Sequence, residues 1–130
     1  MALKVELKPG ERFILGESVI TNGDSRSTLA IEGNEPILRE KDIMRPADAD
    51  TPAKKIYLVV QLMYLAADPR AQHAMYFRLV SDLAEAAPST RPRLERINNL
   101  ILTDAYYKAL REAKRLIAYE GELIKNAKGC

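Results

Sequence analysis

Leu3, Val5 and Leu7 alternate with Lys4, Glu6 and Lys8, the two-residue period of a strand with one wet face. Pro9-Gly10 ends this segment with turn chemistry. "RFILGESVIT" then reads as two short β-rich pieces broken at Gly16, Asn22-Gly23 is a hairpin signal, and "TLAIEGNEPIL" adds two more pieces around Gly33-Asn34. Residues 2–39 are therefore expected to form a meander of four or five short antiparallel strands, within a β-rich lobe spanning residues 1–45. In "PILREKDIM" a buried-strand pattern turns abruptly into alternating charge at Arg39, Glu40, Lys41 and Asp42. A solvated exit from the sheet explains this, with Arg39 paired to Asp42 or to an acid on a neighbouring strand. An arginine held out toward a partner explains it equally well.

After Met44 the period changes. "RPADADTP" is a polar, proline-bearing connector, and Asp50 or Thr51 before Pro52 is a helix start. Ile56, Val59, Val60 and Met63 then share one helical face, with Gln61 interrupting the apolar run. Asp68-Pro69 repeats the start signal for a second helix carrying Tyr76, Leu79, Val80 and Leu83, so a tight corner falls near Ala67, and Pro88 closes that helix. Leu94, Ile97, Leu100 and Ile101 continue the spacing, as do Leu110, Ala113, Leu116 and Ile117. One helix over residues 89–126 satisfies this pattern, and so do two helices split at a Thr103-Asp104 cap. The fold class is α+β: a β lobe followed by a three- or four-helix lobe over residues 51–130, the two packed as one unit. A β lobe of this size is near the lower limit for folding without disulfide or metal, and its short strands have open edges. Both considerations point to a homodimer formed through the β lobe.

Composition removes several classes of function. The longest apolar run is well short of the roughly 20 residues a bilayer span needs, so no membrane partner is expected. "MALKVELKPG" places charges where a signal peptide is apolar, which points to the cytoplasm. The sole cysteine, Cys130, excludes an internal disulfide or a cysteine-built zinc site and is assigned no function. The scattered glycines build neither a dinucleotide fingerprint nor a phosphate loop. His73 is the only histidine, and Glu120 and Glu122, two apart, point to different helix faces and are expected to be solvated. No catalytic residue, metal ligand or cofactor follows from these residues, so enzymatic activity is not expected.

Charge and aromatic content suggest a binding protein instead. Net charge is +2, but residues 1–50 carry 7 cations against 10 acids whereas residues 51–130 carry 13 against 8. Lys108, Arg111 and Arg115 recur at helical spacing, with Lys114 beside them and Arg91, Arg93 and Arg96 upstream. Such a stripe can neutralise phosphates, and a solvated face diluted by Glu112 accounts for it equally. The six tyrosines, at 57, 64, 76, 106, 107 and 119, all fall in the helical half, where packing is expected to occupy most of them, although aromatic rings also stack on bases.

Four stretches in order, "LKPGERFILG", "LREKDIM", "TPAKKIYLVVQLMYL" and "YYKALREAKRLIAYE", resemble the signature segments of FlbT, the bacterial flagellin-synthesis regulator family. This resemblance implies a post-transcriptional regulator that associates with the 5′ untranslated region of flagellin mRNA and promotes its degradation while the flagellum is incomplete. Members of the family also act in the positive direction. Separately, "LKVELKPGERFILGE" and "PILREKDIM" are similar to the first and closing strands of the carbon storage regulator family, small β-rich dimers that bind mRNA leaders. Arg39 stands at the arginine of that family's closing segment, and Lys8 matches a basic position in its first strand. Leu38 departs from a histidine there, and Glu6 and Leu7 from a threonine and an arginine.

The residues expected to contact RNA are therefore Arg39, Lys8 and Lys4 on the sheet, with Lys108, Arg111 and Arg115 supplying backbone attraction. The alternative is an adaptor or chaperone that holds flagellin, or a companion flagellar regulator, against apolar helix faces such as Ile56, Val60 and Met63.

Overall fold

The alternating segments become strands and the 3.6-period segments become helices in the computed structural model, which describes residues 2–128. Cys130 lies outside the described residues. The chain divides into two compact units, Met1–Ile43 and Met44–Cys130. Among the described residues there are five strands, β1 (Ala2–Leu7), β2 (Arg12–Leu15), β3 (Ser18–Thr21), β4 (Ser27–Glu32) and β5 (Ile37–Arg39). Four α-helices follow, α1 (Pro52–Leu65), α2 (His73–Ala86), α3 (Arg91–Leu102) and α4 (Tyr106–Lys128), so the fold is α+β.

In the first unit all pairings are antiparallel. β1 pairs with β4, setting Val5 opposite Leu29 and Leu3 opposite Ile31, while β2 lies between β3 and β5 in a second sheet. Among the described residues the only tight hairpin is β2–β3, closed by Gly16-Glu17 with Gly16 at φ +60°, a geometry that glycine adopts without strain. The Asn22-Gly23 signal does not make a hairpin: β3 and β4 fall in different sheets, and the Asn22 amide is used as a side-chain tether described below. Both sheets contribute to one apolar cluster, Val5, Leu7 and Phe13, surrounded by Leu15, Ile20, Leu29, Ile31 and Ile37. Burying such a side chain contributes about 1.5–3 kcal/mol.

In the second unit Thr51 caps α1, its hydroxyl accepting the Lys54 N–H at 3.2 Å with Pro52 in the first turn. Asp68 likewise accepts the Arg70 N–H, but a 3₁₀ turn over Pro69–Gln72 intervenes before α2. α3 and α4 are separate helices. Asp104 adopts φ +60° between them, and the N–H groups of Asp104 and Ala105 donate to Ile101 O and Leu100 O, closing α3 with a left-handed cap. Helix packing buries Ile56, Val60, Met63, Tyr76, Leu83, Leu94, Ile97, Ile101 and Leu116. No helix among the described residues is long and apolar enough to cross a membrane.

Two polar groups belong to this core. Gln61, which interrupts the apolar run of α1, is buried and grips one peptide group-pair: Met44 N–H donates to its Oε1 at 2.7 Å and its Nε2 donates to Met44 O at 3.0 Å. Glu120, expected to be solvated, is buried as well, because it lies on the inward face of α4 and its Oε2 accepts the Ala53 N–H at 2.9 Å. It thereby satisfies a first-turn donor of α1 that the helix itself leaves unpaired. Glu122 is exposed.

Candidate nucleic-acid interface

The turn Lys8–Glu11 forms one wall of an open recess in the first unit. Glu11 N–H donates to Lys8 O at 3.1 Å across Pro9-Gly10, and Gly10 at φ +73° supplies the left-handed second position of a type II turn. The Glu11 carboxylate folds back so that Oε1 accepts the Lys8 N–H at 2.9 Å. Asn22 Nδ2 donates to Lys8 O at 2.8 Å and to Ser25 O at 2.9 Å, and Gly10 N–H donates to Gly23 O at 3.0 Å. Both backbone polar groups of Lys8 are therefore fixed while its side chain stays exposed.

Arg39 lines the same recess. β5 pairs it with Phe13 and sets it two residues after the core residue Ile37, so by strand alternation its side chain leaves β5 on the core-facing side. The guanidinium reaches the rim of that core, where Nη2 donates to Glu6 O on β1 at 2.7 Å and to Glu11 Oε2 at 3.3 Å. Arg39 thus bridges the two sheets and is paired with an acid just before β2, while 41% of its side chain remains exposed. Beyond it the chain makes a 3₁₀ turn over Glu40–Asp42, which brings Lys41 to the same opening. The recess has a volume of ≈ 510 Å³ and is lined by Lys8, Pro9, Gly10, Glu11, Arg39, Glu40 and Lys41. That volume falls within the roughly 300–1,000 Å³ of small-ligand sites.

Three cations, Lys8, Arg39 and Lys41, therefore share one recess with two acids that already have partners. Glu40 lies 3.6 Å from Arg12 Nε, and Glu11 holds Arg39. Accepting the Lys8 N–H, with Arg39 adding to the effect, keeps the Glu11 carboxyl below the usual carboxylate range. Lys41 was not singled out by the sequence, although its place in "LREKDIM", two residues after Arg39, is a visible signal.

The other expected contacts lie elsewhere. Lys4 is exposed on β1 opposite Ala30 and does not line the recess. Lys108, Arg111 and Arg115 lie on the exposed side of α4, whose inner side buries Ala109, Leu110, Ala113 and Leu116. Glu112 pairs with Arg115. Arg93 stacks 4.0 Å over the Tyr119 ring, whose hydroxyl donates to Ser89.

Packing takes up the remaining tyrosines in large part. Tyr57 and Tyr76 are buried, the Tyr76 hydroxyl donates to Asn98 Oδ1 at 2.6 Å, and burial pushes this phenol well above its usual range. Tyr106 donates to Asp104, and Tyr64 rests against Tyr107 at 5.6 Å between ring centres. Tyr107, with 45% of its surface exposed, keeps an open ring. His73 begins α2 and meets Phe77 edge-on. Among the described residues, no group of three His, Cys, Asp or Glu side chains is placed to hold a metal ion.

Comparison with known proteins agrees with the sequence signatures. The family described as "Flagellar protein FlbT" matches residues 3–124. The chain is similar to the "Probable flagellum biosynthesis repressor protein FlbT 1" of Bradyrhizobium diazoefficiens, at 59% identity over 95% of this chain and 85% of that one. It is 52% identical to the corresponding protein of Rhodopseudomonas palustris, over 95% of this chain and 98% of the relative. With the "Flagellum biosynthesis repressor protein FlbT" of Caulobacter vibrioides it shares 39% identity over 95% and 90% of the two chains. No solved structure matches. By the extent of these matches, from the first strand to the last helix, the chain belongs to the FlbT family of flagellar proteins.

Proposed function

We propose that this protein is a cytoplasmic, non-catalytic repressor of flagellin expression that binds the 5′ untranslated region of flagellin mRNA and promotes its degradation through a recruited nuclease. The observation that carries this reading is the convergence of Lys8, Arg39 and Lys41 on one open recess. Family membership, and the repressor names of relatives up to 59% identical, supply the biological direction. A guanidinium with two ammonium groups suits phosphate oxygens or base edges, and Arg39 is held at the recess by Glu6 O and the Glu11 carboxylate. Lys108, Arg111 and Arg115 add long-range attraction to the RNA backbone. Unpaired edges on both sheets favour a homodimer.

The test is a gel shift with the flagellin leader transcript. Arg39→Ala is expected to weaken binding about ten-fold, as loss of a charge-assisted contact does. An unchanged shift removes Arg39 from the site. A second reading, an adaptor that holds flagellin or a companion flagellar regulator, draws on large apolar side chains exposed on the helices, among them Leu62, Met75, Phe77 and Leu102. Salt-tolerant co-purification with flagellin, without an RNA shift, is the outcome that favours it.

A further inference from the structure

A guanidinium grips an oxyanion with two parallel bonds through one of two edges, Nη1–Nη2 or Nη2–Nε, and each edge uses one Nη2 hydrogen. In Arg39 the Nη2 group, which both edges share, already donates twice, to Glu6 O at 2.7 Å and to Glu11 Oε2 at 3.3 Å. No two-pronged grip is left for a ligand unless one of these bonds opens. The Glu6 bond is short and goes to the backbone of a paired strand. The Glu11 bond is longer and goes to a side chain that is itself anchored through its other oxygen, by the Lys8 N–H at 2.9 Å. It is therefore the bond that yields first.

We propose that the Glu11 carboxylate is an internal stand-in for phosphate: an RNA phosphate enters the Lys8–Arg39–Lys41 recess by displacing Glu11 from Arg39 Nη2, so Glu11 sets how readily the site opens. This rests on the RNA-binding reading above and adds the group recognised and the residue that competes with it. Carboxylate and phosphate match the same guanidinium edge, which is why one can occupy the other's place. Glu11 holds Arg39 in a ready orientation while the recess is empty and prevents weak anions from using it. Lys8 and Lys41, which lie at the same opening, add the charge with which a phosphodiester outcompetes a carboxylate that is already ionised.

The full-length chain and its cognate flagellin leader, read by fluorescence anisotropy at low ionic strength, test this. Glu11→Gln keeps an oxygen for the Lys8 N–H but removes the ion pair, and it is expected to bind about three- to five-fold tighter than wild type, the effect of releasing a half-exposed pair. Glu32→Gln, an equal change of charge on β4 outside the recess, is expected to change affinity less than two-fold, which is roughly the general charge effect. In an Arg39→Ala background the Glu11→Gln gain is expected to vanish. Wild-type binding with no gain in Glu11→Gln, or a gain that survives Arg39→Ala, overturns the proposal and leaves the RNA reading standing. Absence of leader binding by every protein overturns both. Should Glu11→Gln melt early, Glu11→Asp answers the same question: one methylene shorter, it keeps the charge but cannot reach both the Lys8 N–H and Arg39, so tighter binding than wild type is expected and no gain overturns the proposal.

Discussion

Single side chains hold this molecule together at points where the backbone has run out of partners. Gln61 gives Met44 both a donor and an acceptor, as a neighbouring strand does, from the middle of a helix. Gln61→Leu fits an apolar helix face but orphans both Met44 groups, so a loss of about 1–3 kcal/mol is expected in urea melts followed by helical circular dichroism. Glu11 acts on the other unit and confers a pH dependence. Its carboxyl is held below its ordinary value, first by the Lys8 N–H. Its contribution to stability is therefore complete above the unfolded carboxyl value and lost as the pH falls through the lower folded one. Melting temperature against pH is expected to fall less steeply on the acid side for Glu11→Gln than for wild type.

At the scale of elements, the junction between α3 and α4 rests on one residue in an uncommon conformation. Asp104 sits at φ +60°, a region that glycine occupies without cost and β-branched residues rarely enter. Asp104→Val is expected to lower stability by about 1–2 kcal/mol, whereas Asp104→Gly is expected to be nearly neutral, the lost Tyr106 contact offsetting the relieved backbone; both are read by thermal melts. This junction shows what a sequence does and does not disclose. Periodicity marks where strands and helices lie because it reports which side chains face a core. It cannot rank a continuous helix above a broken one when the apolar spacing survives the break, as it does from Ile101 to Leu110. Strand pairing was obscured for a related reason. Alternation in "LKVELK" identifies an edge-tolerant strand, but the choice of β4 as its partner depends on how the sheets close over Phe13. Asn22-Gly23 has hairpin chemistry, yet tertiary bonds to Lys8 and Ser25 claim the amide. Arg39 and Lys8 were singled out through the likeness to the strands of the carbon storage regulator family and both line the recess, whereas Lys41 reaches it only through the 3₁₀ turn after β5.

At the scale of the whole molecule, charge is distributed against expectation for a single basic binding surface. The recess cations lie in the acidic half of the chain, and the surplus of positive charge is in the helical half. On the RNA-binding reading proposed above, orientation and attraction are thus separable contributions. Replacing Lys108, Arg111 and Arg115 with glutamine is expected to leave leader preference intact while reducing the slope of log affinity against log salt by about 2, near 0.7 for each phosphate neutralised on a single strand. A titration across several salt concentrations checks this, and an unchanged slope shows that the α4 stripe faces only solvent.

The Glu120–Ala53 bond joins positions 67 residues apart. A ribosome making this protein releases the start of α1 long before it has translated the acid that completes it, so the helical unit cannot reach its final form until Glu120 has emerged. Termination before Glu120 is reached therefore leaves a polypeptide whose first helix lacks this partner and whose apolar faces are exposed, which cellular proteases can clear.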